Sequence, residues 1–402
     1  MLMKDSAVLP PDSPILPVAE PFRAGKVALI ALCHFIHDVY SSFLSPLLPL
    51  LIEKLSLSLT RAGLLQTVLQ LPALVNPLIG LWADRVSVRG FIILAPSLTA
   101  VPMCLLGLAP NYTVLLFLLF VAGISVALFH VPAPVMVAKL SGVHKGRGMS
   151  FFMVGGELAR AVGPLAAVAA VSLMGLEGFY PTMLVGLAAS AWLYVKFKDV
   201  PIREEGRPRA SLKGTWIEIR RLMLPLAAIL CARGFMHAVL ITFLPTYITQ
   251  QNGGLWLAGI SLTLVEGAGV AGVMTAGPLS DRFGRRRVLF ICLVSAPLML
   301  LGFVWLDSWL RYVALMLTGF TLLSTTPVML AMVQEHGASS PSTANGIYMM
   351  TMFMTRSSVV VVVGFIADRI GLHQTFMISA LLGIAGIPFI IMLPRNASKR
   401  LG

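Results

Sequence analysis

Charge is scarce in this chain. Only 12% of its 402 residues are Asp, Glu, Lys or Arg, against 57% hydrophobic residues, and the mean hydropathy is +0.87. A soluble domain must keep its surface wet, so this composition excludes one and points to lipid as the solvent. Other absences close further classes. No Gly-x-x-x-x-Gly-Lys-Ser/Thr loop exists to hold ATP, and no His-Glu-x-x-His pattern exists to hold zinc. The four cysteines, Cys33, Cys104, Cys231 and Cys292, lie in apolar stretches without metal spacing or a loop to staple. They read as small buried hydrophobes. The net charge of +13 comes with no basic tract interleaved with aromatics, so no nucleic-acid partner is expected. A long polar domain, as a sensor would need, is missing too. Neither a cofactor nor a metal is expected. The first 22 residues lack an apolar leader and carry Pro10, Pro11, Pro14, Pro17 and Pro21. They read as a cytoplasmic tail ahead of an uncleaved first span near Lys26.

What remains is a series of apolar runs. A bilayer core of ~30 Å takes ~20 residues of helix per crossing, which gives about twelve spans after Phe22. They are expected near 26–52, 61–83, 90–109, 112–138, 147–174, 179–197, 222–248, 256–280, 288–306, 309–335, 343–367 and 373–393. With the N-terminus in the cytoplasm, 23 of the 30 Lys and Arg fall on the cytoplasmic side. Only Lys54, Arg61, Arg311 and Arg369 fall opposite, and Arg160, Arg233 and Arg356 lie within spans. That asymmetry places both termini in the cytoplasm.

The chain also repeats itself. Gly80-Leu-Trp-Ala-Asp84-Arg85 follows the second span, and Gly277-Pro-Leu-Ser-Asp281-Arg282-Phe-Gly284-Arg285 follows the eighth, at an offset of 197. Ala62-Gly63 and Ala258-Gly259 match at 196, and Gly148 and Gly346 at 198. The expected organisation is a tail (1–25), a six-helix half (26–197), a cytoplasmic linker (198–221), a second half (222–394) and a short tail (395–402). In the repeated loop, Gly80 and Gly277 would let helices approach, and Asp84 and Asp281 would face the positive end of a neighbouring helix. Arg85, Arg282 and Arg285 would hold the turn at the lipid surface, and the whole would act as a conformational latch.

Gly-x-x-x-Asp-Arg after spans 2 and 8 of a 6+6 protein resembles the major facilitator superfamily. Within it, several stretches resemble fosmidomycin-resistance-type drug exporters: His34-Phe-Ile-His-Asp38, Phe129-His130-x-Pro132, Val154-Gly155-Gly156 through Gly163-Pro164, Val333-Gln334-Glu335 and Gly364-Phe-Ile-Ala-Asp368. The resemblance implies an all-α membrane fold of twelve helices in two halves. In it, spans 1, 4, 7 and 10 line a central cavity and spans 2, 5, 8 and 11 flank it. Gly155, Gly156, Gly163 and Pro164 resemble a shortened antiporter motif and are expected to pack span 5 closely. The chain departs from the subfamily at Glu157 and Arg160 in span 5 and at Arg356 in span 11.

Six charges fall well inside spans: Asp38, Glu157, Arg160, Arg233, Glu266 and Arg356. Each costs ~2.5–3.5 kcal/mol at a helix centre, so each is expected to face protein or a watery cavity, and their balanced signs suit mutual pairing. His34 and Asp38 share one helical stripe with Ser41 and Ser45. A carboxylate held away from water can load and release a proton near neutral pH, so Asp38 is the preferred proton carrier. His34 and His37 are relay candidates, and Glu266 is the second choice. Arg356, Arg233, Arg160, Glu157, His130 and His237 are the substrate candidates, because Arg at a cavity wall favours an anion. Of these, Arg160 has its own neighbour Glu157 to neutralise it. The expected activity is proton-coupled export of a small anionic organic compound by a monomer in a bacterial inner membrane. An importer of a carboxylate on the same scaffold is the alternative. An intramembrane enzyme or sensor is a third class, for which His130 with Glu335-His336 is the sole hint.

Overall fold

In a bilayer, backbone N–H and C=O groups must find partners within the chain, so apolar runs of this length become helices. The computed structural model describes residues 22–76, 79, 89–142, 144–197, 212–337 and 341–393, and among these every regular element is helical. The helices are α1 (Ala24–Ser41), α2 (Leu44–Leu55), α3 (Leu59–Gln70), α4 (Arg89–Cys104), α5 (Tyr112–His130), α6 (Pro132–Leu140), α7 (Lys145–Met174) and α8 (Met183–Phe197). There follow α9 (Leu212–Ala238), α10 (Leu244–Gln250), α11 (Leu255–Phe283), α12 (Arg285–Trp305), α13 (Leu310–His336), α14 (Pro341–Ile384) and α15 (Ile387–Met392). Nine helices or helix pairs among the described residues are long and apolar enough to cross a membrane.

Local chemistry sets the breaks. The Ser58 hydroxyl accepts from the Arg61 N–H at the start of α3, and the Asn111 side chain accepts from the Val114 N–H at the start of α5. Gly371, at φ 80°, interrupts α14 where the sequence places the boundary between its last two spans. Some boundaries differ from expectation. Helix α9 starts at Leu212, inside the stretch assigned to the linker, and α8 is preceded by a 3₁₀ turn at Tyr180–Thr182. The segments 1–21, 198–211 and 394–402 lie outside the described residues.

The core is distributed unevenly along the bundle. At the end away from Phe22 and Leu393, one apolar cluster is continuous across the chain. It joins Tyr40, Leu47 and Leu115 to Phe243, Leu300 and Phe376. At the end where Phe22 and Leu393 lie, the core separates into two clusters. One is built on Ile30, Phe129 and Leu193, the other on Leu226, Leu293 and Val333. Two helix pairs carry most contact between the early and late parts of the chain, α3 with α14 and α7 with α11. Their backbones approach closely where glycine leaves room. A Cβ added at Gly63 would sit 2.8 Å from the Val360 carbonyl oxygen, and one at Gly364 would strike the Leu59 carbonyl.

Candidate functional site

Asp38 sits on α1 with imidazoles around it. His34 Nε2 is 3.2 Å from Asp38 Oδ2, His130 Nε2 is 3.5 Å from Oδ1, and His37 Nε2 is 3.8 Å from Oδ1. His34, His37 and Asp38 are buried. Each ring is fixed from behind. His34 Nδ1 lies 2.8 Å from the Phe152 carbonyl, and His130 Nδ1 lies 3.0 Å from the Val126 carbonyl. A carbonyl oxygen only accepts, so both Nδ1 atoms carry hydrogen and both Nε2 atoms present lone pairs when neutral. His37 is set by a relay: the Ser125 hydroxyl donates to the Ala95 carbonyl, and the Thr99 hydroxyl donates to Ser125. The Thr99 oxygen, 3.0 Å from His37 Nδ1, is left to accept from it. Phe152 stacks on the His34 ring at 4.0 Å and Phe129 lies 4.6 Å from the His37 ring, which keeps both imidazoles in place.

Three nitrogen lone pairs therefore converge on one carboxylate. The His34 Nε2, His37 Nε2 and Asp38 Oδ1 atoms are buried and have no hydrogen-bond partner. Acceptors facing acceptors are costly in an apolar interior unless a positive charge lies among them. His34, Asp38 and His130 offer atoms within 4.8 Å of one another, and a proton is the smallest cation such a set can share. The α7 glycines make this packing possible. A side chain at Gly156 would strike the His34 ring and approach Asp38 Oδ2 to 3.2 Å, while Gly155 lies against the Ala31 carbonyl and Gly163 against Ser42 and Val39. Pro164 lies one residue further along α7, facing Gly259 of α11 through its carbonyl.

The other intramembrane charges pair in part, and Arg160 is neutralised by its own neighbour Glu157. Arg160 forms an ion pair with Glu157, one turn away on α7, and its Nε lies 4.0 Å from Glu266 of α11. Two carboxylates thus serve one guanidinium. Arg233 and Arg356 share a small crevice with His237, Gly234, Leu230 and Met352. Arg233 donates to the Leu322 carbonyl at 3.2 Å and to Thr326 Oγ1 at 3.3 Å, and no carboxylate pairs with it among the described residues. Arg356 has neither an ion-pair nor a hydrogen-bond partner among them. Arg160 is the middle of this arrangement. It lies within electrostatic reach of Asp38 and His130 on one side and of Arg356 and His237 on the other.

The late copy of the repeated loop holds together by charge. Arg285 Nη2 lies 2.5 Å from Asp281 Oδ1 and 2.8 Å from Glu335 Oε1, and Arg285 also bonds to Ser280. Arg282 lies over the Phe283 ring at 5.4 Å. Two expectations need correction. Gly277 meets nothing within 4 Å of an added Cβ, so it is not a close-packing glycine here. Glu335 belongs to Arg285 and His336 to the Met332 carbonyl, so neither joins His130. Gly80, Asp84 and Arg85 lie outside the described residues.

Sequence reading assigned no role to two residues. Asp368 of α14 accepts from the Leu59 N–H at 2.7 Å, the Thr60 N–H at 2.9 Å and the Thr60 hydroxyl at 2.5 Å. It thereby caps the positive end of α3 from another part of the chain. The Tyr348 hydroxyl is buried without a hydrogen-bond partner, within electrostatic reach of Arg233 and Arg356. Glu177, in the loop after α7, lies 2.6 Å from the ammonium of Lys54 at the end of α2, which holds its carboxyl below the ordinary range.

The chain matches the family model described as Major Facilitator Superfamily over residues 30–357 and 258–401. It is 24% identical over 383 residues to the fosmidomycin resistance protein of Escherichia coli (strain K12), covering 93% of this chain and 94% of that protein. A probable sulfoacetate transporter of Cupriavidus necator is 25% identical over 410 residues, covering 92% and 93%. Among solved structures, a bacterial homolog of the human lysosomal transporter Spinster, inward-facing and occupied, superposes with a TM-score of 0.80 at 14% identity, covering 93% of this chain and 97% of that one. The D-xylose–proton symporter gives 0.73 at 13% identity, covering 94% and 99%. With its apolar helices and its match along nearly the whole length, this multi-pass membrane protein belongs to the Major Facilitator Superfamily of transporters.

Proposed function

We propose that the chain is a proton-coupled exporter of a small organic anion, working by alternating access between two six-helix halves, 26–197 and 222–394. Both termini lie in the cytoplasm of a bacterial inner membrane. The observation that carries the substrate class is the crevice in which Arg233 and Arg356 stand together, with no carboxylate lining it among the described residues. Two guanidiniums in an apolar interior repel each other, and an anion with two negative oxygens offsets both charges at once. The buried Tyr348 hydroxyl supplies a neutral donor beside them. A relative named as a sulfoacetate transporter fits an anionic cargo, and one named for drug resistance favours export. Titration calorimetry on the purified protein tests the class. Small carboxylates, sulfonates or phosphonates should include a saturable ligand that an Arg233→Gln/Arg356→Gln protein no longer binds. Binding confined to neutral or cationic solutes would end the anion reading.

Alternating access draws support from the two ends of the bundle. Among the described residues the core is continuous at the end where Asp368 caps α3, and split at the end where Phe22 and Leu393 lie, where Gly277 and Gly346 meet no described residue. In this reading the conformation is closed on the outside and open to the cytoplasm. Asp368 is then the outside latch, and it must release α3 for the halves to part. A carboxylate at a helix N-terminus contributes up to ~2 kcal/mol, enough to shift such an equilibrium about thirty-fold. Spin labels at Glu53 and Gln374, one in each half at that end, report the distance. In Asp368→Ala protein a longer-distance population should grow at the expense of the short one. An unchanged distribution would reduce Asp368 to a helix cap.

In this scheme the Asp38 cluster takes a proton from outside and gives it up inside. Arg160, held between Glu157 and Glu266, carries the electrostatic message between proton and anion. Glu266 shares this role, since it lies 4.0 Å from Arg160 Nε and within electrostatic reach of Arg356.

A further inference from the structure

A second set of cations lies far along α1 from the Asp38 cluster. Arg23, Lys26 and Lys196 line a crevice of about 590 Å³ between the first turn of α1 and the last turn of α8, together with Trp192, Leu29 and Leu32. Among the described residues no acidic side chain lines it. Lys26 stands 5.9 Å from the Phe197 ring, and Lys196 has no ion-pair or hydrogen-bond partner among the described residues. The wall is amphipathic. Trp192 is 47% exposed and Leu32 42% exposed, and Val195 on the same helix is more exposed still. Along α1, Lys26 to Leu32 spans about 9 Å, which is the step from headgroup depth to the first acyl carbons.

We propose that this crevice binds the headgroup phosphate of an anionic phospholipid from the leaflet that faces the chain termini. A phosphodiester has oxygens for the two ammonium groups of Lys26 and Lys196, and the attached acyl chain would run along Leu32 and Trp192. A soluble phosphate would use the cations and leave the apolar wall bare. Basic pockets at the ends of transmembrane helices are suited to such lipids. Phe22 turns to another side of α1, packing against His144 and under Arg147, so the visible start of the chain does not fill the crevice. A lipid here would tie the end of α1 to the end of α8. Because α1 also carries His34 and Asp38, occupancy would steady the helix that holds the proton cluster.

The site needs the chain to sit in a membrane but does not depend on the anion or the proton reading, and its test uses no solute. The full-length protein is purified and given phosphatidylglycerol or phosphatidylcholine with the same acyl chains. Retained lipid is read by native mass spectrometry and unfolding by a thermal melt. Phosphatidylglycerol should be retained at least several-fold more and should raise the melting midpoint more. Lys26→Gln/Lys196→Gln should lose both differences, and Lys26→Arg/Lys196→Arg should keep them. Deleting residues 1–21 should leave the preference intact, and its loss would make the tail part of the site and overturn the crevice as drawn. Equal retention of the two lipids would also overturn the proposal. So would a preference that survives in the glutamine variant, or a stabilisation matched by free inorganic phosphate. If the glutamine variant does not fold, the wild-type lipid comparison and the arginine variant still decide.

Discussion

Replacing Asp38 with Asn should abolish accumulation driven by a pH gradient. One pH unit is worth about 1.4 kcal/mol per proton, so one coupled proton sustains up to about a tenfold solute ratio per unit. An amide keeps the shape of the carboxylate but holds no negative charge against three imidazoles. In the variant the ratio should fall to about one whatever gradient is imposed. Solute exchange without a gradient should persist, because exchange does not require the protonation state to change. His130 is the second probe of the same cluster. It reaches Asp38 from α5, so His130→Gln should weaken coupling while sparing the rate of exchange. Loss of exchange together with loss of the folded protein, seen in a thermal melt, would mark Asp38 as a structural tie instead.

Arg356→Gln should weaken binding of the anion by about 10- to 100-fold, the loss expected for a charge-assisted contact worth about 1.5–3 kcal/mol. Arg356→Lys should rescue only part of this, since an ammonium lacks the planar fork that meets two oxygens together. The effect on stability separates the two roles of this residue. Arg356 has no ion-paired carboxylate among the described residues and stands near Arg233. Removing one of two like charges should leave the melting midpoint unchanged or raise it. A structural arginine behaves in the opposite way: its removal strands a partner and lowers the midpoint. Calorimetry and melting on the same preparation therefore give a sign as well as a size. A stable Arg356→Gln protein that binds the anion as tightly as the parent would remove Arg356 from the site.

The helices were legible because lipid leaves the chain few choices. Apolar runs long enough to span must be helical, and Gly371 falls where the last two spans meet. The stripe carrying His34 and Asp38 was legible from its spacing on one helix. That His130, singled out there as a substrate candidate, joins it was not, because α5 reaches α1 only through tertiary packing. The balanced count of six intramembrane charges suits mutual pairing and does not say which charge meets which. The fold distributes them with both glutamates on Arg160 and histidines around Asp38, and a charge count has no geometry with which to foresee that. Asp368 stood in view as the end of Gly364-Phe-Ile-Ala-Asp368. Its role depends on α3, some 300 positions earlier, and a single sequence holds no record of that contact. Gly277 shows the converse error: a glycine in a repeated motif was read as a close-packing residue, and the packing lies instead at Gly63 and Gly364.

The most direct measurement follows both fluxes in one vesicle. The purified protein is reconstituted with a pH-sensitive dye inside, and the anion identified by calorimetry is added outside at equal pH. Solute entry and internal pH are recorded together, with the Asp38→Asn protein as control. Proton–anion exchange predicts that entry of the anion drives protons out and raises the internal pH, and that the variant moves solute with no pH change. Solute movement without any pH change in the parent protein, or an identical pH change in the variant, would contradict coupling through the Asp38 cluster.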